Sequence, residues 1–231
     1  MKKLVLSFAC AAMVLTSCGN LSNLVKGTAV GTGAGAAIGA AAGALIGDDG
    51  KAAAIGAAIG AAVGASAGAI IGNKMDQKAE ELAAIEGAKV DTLADANNLK
   101  SIRVTFDSGI LFDTNKSDLK KDSKTALANF AKTMADMPDT KIYIQGHTDN
   151  TGSREVNDRV SLSRAQSVAA FLKSEGMNEE RFTVEGMAYD YPVASNETAE
   201  GRAQNRRVEI YITADENMIN AAEAEAAAAE K

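Results

Sequence analysis

Apolar and polar positions follow three different patterns along this chain. An unbroken apolar run, Leu4 to Leu15, sits behind Lys2-Lys3. From Gly27 to Gly72 the pattern has a period of four, set by glycines among alanines. From about Ile102 the periods are those of a folded domain. Ile102, Val104 and Phe106 alternate with polar residues, as in a half-buried strand. Leu127, Phe130, Ala131 and Met134 make a helical stripe that Pro138 stops. Ile142 and Ile144 mark a second strand. Val156, Val160, Val168 and Leu172 mark a second helix, closed near Lys173 and Gly176. Phe182 and Val184 mark a third strand, and Val208, Ile210 and Ile212 a fourth, after a polar segment from Asp190 to Asn205. The order strand, helix, strand, helix, strand, strand predicts an α+β fold, a βαβαββ sandwich over residues 100–213. Parallel strands joined in sequence need crossover helices, and both are present.

The glycine segment predicts something else. Glycines stand at 27, 31, 35, 39, 43 and 47, then again at 56, 60, 64, 68 and 72, with Asp48-Asp49-Gly50-Lys51 between. Residues four apart share a helix face, so each arm has a side-chain-free groove where another helix can approach closely. Each interior glycine costs about 1 kcal/mol relative to alanine, so isolated arms are unstable and need close packing, in a membrane or an oligomer. Residues 27–73 are therefore expected as a helical hairpin. The segment resembles the glycine-zipper domains of bacterial envelope proteins. Gly31-Thr32-Gly33 with Ala36 imitates a dinucleotide fingerprint, but no strand precedes it and the ladder explains it. Residues 74–99 regain charge and read as a solvated spacer, partly helical around Ala79 to Ile85. Residues 214–231 form an acidic, Ala-rich tail, helical or disordered, with no function assigned.

Composition narrows the function classes. The net charge of −6 argues against nucleic acid, whose binding needs clustered Lys and Arg. Aromatics make up 4% and Trp is missing, which argues against one large core. The two cysteines, Cys10 and Cys18, leave the predicted domain without a disulfide or a Cys-based zinc site. A short positive region followed by an apolar stretch is an export signal, here residues 1–17, and is too short for an ordinary membrane span. Leu15-Thr16-Ser17-Cys18 resembles the bacterial lipobox, whose cysteine is acylated, palmitate being one such acyl group, and becomes the mature N-terminus. Several acyl chains on Cys18 would give stable anchoring where one is marginal. Residues 18–26 would be the lipidated N-terminus and a short tether. By resemblance to enterobacterial lipoproteins, Gly19 rather than Asp after the cysteine implies the outer membrane, with the domain facing the periplasm.

Candidate chemistry concentrates between the second strand and the second helix, in Gly146-His147-Thr148-Asp149-Asn150-Thr151-Gly152. Rigid elements on either side suit such a turn to function. Arg164 projects from the apolar stripe of the following helix, with Asn157 on the same face. Asp149 and Arg164 either pair with each other or serve one ligand bearing an ammonium and a carboxylate, with Arg's planar fork taking the carboxylate. An enzyme built on His147 and Asp149 lacks an evident nucleophile, and one His among scattered acids is a poor zinc set, so neither catalysis, metal nor cofactor is expected. His147 is expected to be structural, bonding within the turn.

The residues Gly146-His147-Thr148-Asp149, Gly152, Asn157, Leu162-Ser163-Arg164-Ala165 and Val168 resemble the signature of the OmpA-like C-terminal domain. Phe112-Asp113-Thr114-Asn115 and Gly201-Arg202-Ala203-Gln204-Asn205-Arg206-Arg207-Val208 match its other motifs, and Val160 stands where Leu is usual. The resemblance implies non-covalent binding of peptidoglycan through the diaminopimelate of its stem peptide. It assigns the ligand to Asp149 and Arg164, with Asn115, Thr148, Asn157 and Arg206 as supporting contacts. The expectation is an outer-membrane lipoprotein that tethers the membrane to the wall and can self-associate through its hairpin. The competing expectation makes the hairpin the active part, a membrane-inserting or pore-forming element for which the domain is only a tether.

Overall fold

The computed structural model describes residues 63–95, 97–113 and 116–229. The arms of the expected hairpin upstream of residue 63, Cys18 and Asn115 lie outside them. The described chain runs through helix α1 (Ala65–Ala83), strands β1 (Ala88–Ala94) and β2 (Lys100–Asp107), and the one-turn helix α2 (Ser108–Leu111). Helix α3 (Lys121–Thr133), strand β3 (Thr140–His147) and helix α4 (Arg154–Ser174) follow. A 3-10 turn (Glu179–Arg181), strand β4 (Phe182–Ala188), helix α5 (Ala199–Asn205), strand β5 (Arg207–Ala214) and helix α6 (Glu216–Ala229) complete it.

The strands form one mixed sheet in the order β1-β2-β5-β3-β4. Only β3 and β4 pair in parallel, and α4 is their crossover. The α+β architecture read from the periods is what the structure shows. One face of the sheet, with Ile102, Val104, Phe106, Ile142, Ile144, Val208, Ile210 and Ile212, is buried in a single core with the helices. The other face carries Arg103, Tyr143, Gln145, Glu209 and Tyr211. Period-two alternation dictates this split.

Two expectations change. The stretch 74–99, expected as a solvated spacer, is part of the fold, and the boundary at 73/74 falls inside α1. Ile71, Met75 and Leu82 of α1 are fully buried, with Ile85 and Leu99 nearly so. Lys78, only 5% exposed, donates to Glu81 (2.6 Å), Asp136 (2.7 Å) and the carbonyl of Thr133 (3.0 Å). The apolar positions 67, 71, 75, 79 and 82 are a helical stripe that begins inside the glycine ladder, which masked it. Strand β1 was missed because only its half-buried Ala88 and Val90 turn inward against Phe106 and Val104, while Lys89 and Asp91 face out. The acidic tail is α6, which buries Met218, Ile219 and Ala222 in the same core.

Helix α4 also turns a different face inward than its valines suggest. Val156 is exposed, and the buried residues are Asn157, Ser161, Arg164, Ala165, Val168 and Leu172. The N-terminal half of this face is polar because the helix backbone lies directly on two strand glycines. A Cβ on Gly146 would stand 2.0 Å from the Ser161 carbonyl oxygen, and one on Gly186 2.6 Å from the Leu162 nitrogen. No large side chain fits between them, so the helix is seated by backbone contact there and by apolar packing further down.

Candidate functional site

Four segments meet at one end of the sheet: the turn after β3, the start of β5, α2 with its exit at Phe112, and the middle of α4. The β3–α4 turn is closed by its own hydrogen bonds. Gly152 has φ +92°, a conformation that favours glycine. Asp149 Oδ1 accepts from the backbone N–H of Thr151 at 2.9 Å. The Asn157 side-chain amide donates to the carbonyls of Thr151 (3.0 Å) and Ser153 (3.1 Å), and the Ser153 hydroxyl caps α4 through the Val156 N–H. Asn157 therefore spends its amide on holding the turn that carries Asp149.

Asp149 is 8% exposed, and its Oδ2 accepts from Arg206 Nη1 at 2.5 Å. Burial pushes its carboxyl up, but the hydrogen bonds from Arg206 and Thr151 outweigh burial and hold it below the ordinary value, so it is ionised at neutral pH. Arg164 is 6% exposed. Its Nε donates to the Lys116 carbonyl at 3.2 Å, and its guanidinium lies over the Phe112 ring, 5.2 Å from the centroid. No carboxylate among the described residues comes within ion-pairing distance of it. Burial, then the like charge of Arg206, lowers its pKa, while Asp149 raises it. A guanidinium stays protonated under such shifts. The plain Asp149–Arg164 salt bridge is thus not what forms: Arg206 takes the carboxylate, and the Arg164 fork keeps an edge with no carboxylate.

Sequence reasoning placed the other polar residues less well. Thr148 is 5% exposed; its N–H donates to Ala188, and its hydroxyl has no partner among the described residues. His147 does not bond within the turn. Alternation sends it to the far face of the sheet, 2% exposed, where Nε2 lies 3.7 Å from Glu209 Oε2 and the ring meets Tyr191 edge-on. Burial, with Arg207 beside it, pushes its pKa down to about 4 against the opposing pull of Glu209, so the imidazole is neutral. Of the last motif, Arg206 alone reaches Asp149. Arg207 donates to Glu209 (2.6 Å) and to the Tyr191 carbonyl (3.1 Å), and Asn205 accepts from the N–H groups of Val193 and Ala194, so these two fasten the 190–205 loop. The signal available in the sequence was the row Asn157, Ser161, Arg164, polar at helical spacing and buried. Among the described residues, no group of three or more His, Cys, Asp or Glu could hold a metal ion.

Comparison with known proteins matches residues 111–206, the stretch that carries every charged group of this site, to the OmpA family. Residues 111–206 form an OmpA family domain. Residues 1–76 match the YMGG-like Gly-zipper family, which runs into α1. Outer membrane protein Omp38 of Acinetobacter baumannii is 43% identical over 120 residues, 52% of this chain and 34% of that protein. Outer-membrane lipoprotein YfiB of Pseudomonas aeruginosa is 38% identical over 108 residues, 47% of this chain and 64% of that protein. The chain thus spans about a third of Omp38 and under two thirds of YfiB. The solved structure of the cell wall anchor of the T6SS from Pseudomonas aeruginosa superposes with a TM-score of 0.52 at 28% identity, over 61% of this chain and 97% of that one. The matched stretch is part of a larger packed unit, since α1, β1 and β2 precede it, β5 and α6 follow it, and all share its sheet or core. No helix among the described residues is long and apolar enough to cross a membrane.

Proposed function

We propose that this chain is an outer-membrane lipoprotein, anchored by acylated Cys18, that tethers the membrane to the cell wall by binding the diaminopimelate of the peptidoglycan stem peptide. The role is binding, without a catalytic step. One observation carries the reading: an ionised Asp149 and a cationic Arg164 lie in one buried site without neutralising each other. A ligand centre with an ammonium and a carboxylate complements both. Asp149 would accept from the ammonium, sharing its oxygens with Arg206, and Arg164 would take the carboxylate on its open edge. Thr148 precedes Asp149 in sequence, Asn115 precedes Lys116, whose carbonyl accepts from Arg164, and Asn157 supports the turn.

The comparisons support the reading at a coarser level, since one relative is named an outer-membrane lipoprotein and one structural neighbour a cell wall anchor. The topology supports it as well. The site lies where β3 ends and β5 begins. The entering helix α1 contacts the opposite end: Gly68 faces Leu99, Asp76 pairs with Lys100, and Lys78 holds Thr133 and Asp136. About 25 Å of strand separates the two ends, so the segment arriving from a membrane and the site reaching a wall point apart.

The test is sedimentation of the full-length protein in detergent with purified diaminopimelate-type sacculi. Asp149→Asn keeps size and removes charge, and it is expected to weaken binding by about two to three decades. Free diaminopimelate should compete with wild type. A folded Asp149→Asn, Arg164→Ala double variant that binds sacculi with wild-type affinity would overturn the assignment.

A further inference from the structure

The buried hydroxyl of Ser108 has no role in the site described so far. Ser108 is 3% exposed, and its Oγ has no hydrogen-bond partner among the described residues. Its backbone, in contrast, is tied to the main chain of Arg206 and of Phe112, the residues that carry or support the two cations of the site. The Ser108 N–H donates to the Arg206 carbonyl at 2.9 Å, and its carbonyl accepts at 2.7 Å from the N–H of Phe112, whose ring supports Arg164. Asp107 pairs across from Arg207 on the outward face, so the next residue begins α2 on the side where Arg206 reaches Asp149. Among the described residues the other buried hydroxyl without a partner is that of Thr148, next to Asp149 in sequence. Buried polar groups are almost always satisfied, because leaving one unsatisfied costs its full desolvation. Two such hydroxyls at the end of the sheet that holds three charged side chains point to a partner brought by the ligand.

We infer that Ser108 is a further ligand-binding residue, whose hydroxyl donates to the ligand carboxylate held by Arg164. This rests on the zwitterion reading of the site. An unpartnered hydroxyl donates most strongly to a charged acceptor, and a carboxylate oxygen not taken by Arg164 is such an acceptor. Thr148, on the opposite side next to Asp149, would accept from the ammonium.

The experiment compares full-length wild type, Ser108→Ala, Thr148→Val and Asp149→Asn for binding to diaminopimelate-type sacculi, with thermal unfolding of each in the absence of wall. Ser108→Ala should lose about tenfold in affinity, with free diaminopimelate competing correspondingly less well. Its Tm without ligand should be unchanged or higher, since an unpaired buried hydroxyl has been removed. A purely structural serine would lower Tm and leave the affinity of the folded fraction intact, and that result overturns the inference. So does a stable Ser108→Ala protein with wild-type affinity. If Asp149→Asn loses binding while Ser108→Ala does not, only the Ser108 assignment fails. If Asp149→Asn also binds normally, the zwitterion reading fails with it.

Discussion

Lys78 and Arg164 are both cations with almost no exposure, each carried on a helix packed against the sheet, yet their surroundings differ in kind. Lys78 donates to two carboxylates and a carbonyl, which accounts for all three ammonium protons. Burial pulls its pKa down, but Asp136 and Glu81 outweigh burial and hold it above its ordinary value. Arg164 has one carbonyl, one aromatic face and a neighbouring guanidinium that lowers its pKa further. The first cation is completed by the protein and clamps α1 to the end of α3. The second is left incomplete in the neighbourhood of Asp149 and Arg206. A buried charge the fold does not satisfy is a stronger sign of a ligand than a buried charge it does.

Exchanging the two residues for alanine separately tests that contrast. Arg164→Ala is expected to cost two to three decades of sacculus affinity, about 3–4 kcal/mol, and to leave Tm unchanged or raised because a desolvation cost is relieved. Lys78→Ala should do the reverse, lowering stability by about 2–3 kcal/mol in chemical denaturation while the folded protein binds sacculi normally. The lower part of the usual range applies because Glu81 and Asp136 are half exposed or more and can rehydrate. Loss of wall binding in Lys78→Ala, or of stability in Arg164→Ala, would erase the distinction.

A smaller effect concerns His147, whose folded pKa of about 4 lies below its ordinary value of 6.5. Between these values the unfolded chain takes up a proton and the folded domain does not, so the stability contribution is full above pH 6.5 and is lost as pH falls toward 4. Wild type should therefore lose about 3 kcal/mol more than His147→Gln across that window, read from denaturant curves at each pH. Parallel curves for the two proteins would show that His147 is not held neutral by burial.

The legible part of this chain was what depends on near neighbours. Alternation at Ile102, Val104 and Phe106 and the stripe from Leu127 to Met134 report local backbone geometry and the side that meets the core. The α+β order could therefore be read without coordinates. Asp149 and Arg164 could be named from the polar turn and the helical stripe that follows it, and Arg206 through the resemblance to the OmpA-like signature. The burial of α1 in the domain core escaped because its apolar stripe is overlaid by the glycine ladder, and β1 because an edge strand with two inward residues has too weak a period.

By itself the amino-acid sequence determined the order of elements, the inward face of most of them and the short list of charged residues near the β3–α4 turn. Each of these follows from residues a few positions apart. Tertiary structure alone decided which charge pairs with which. Arg206 lies 57 positions from Asp149 and reaches it because β5 is laid beside β3 in the sheet. Arg164, on the helix Asp149 precedes, is left with a backbone carbonyl and a ring. His147 lies on the opposite face from Asp149, two residues away, because alternation fixes its side within β3 while the turn that follows does not keep that alternation.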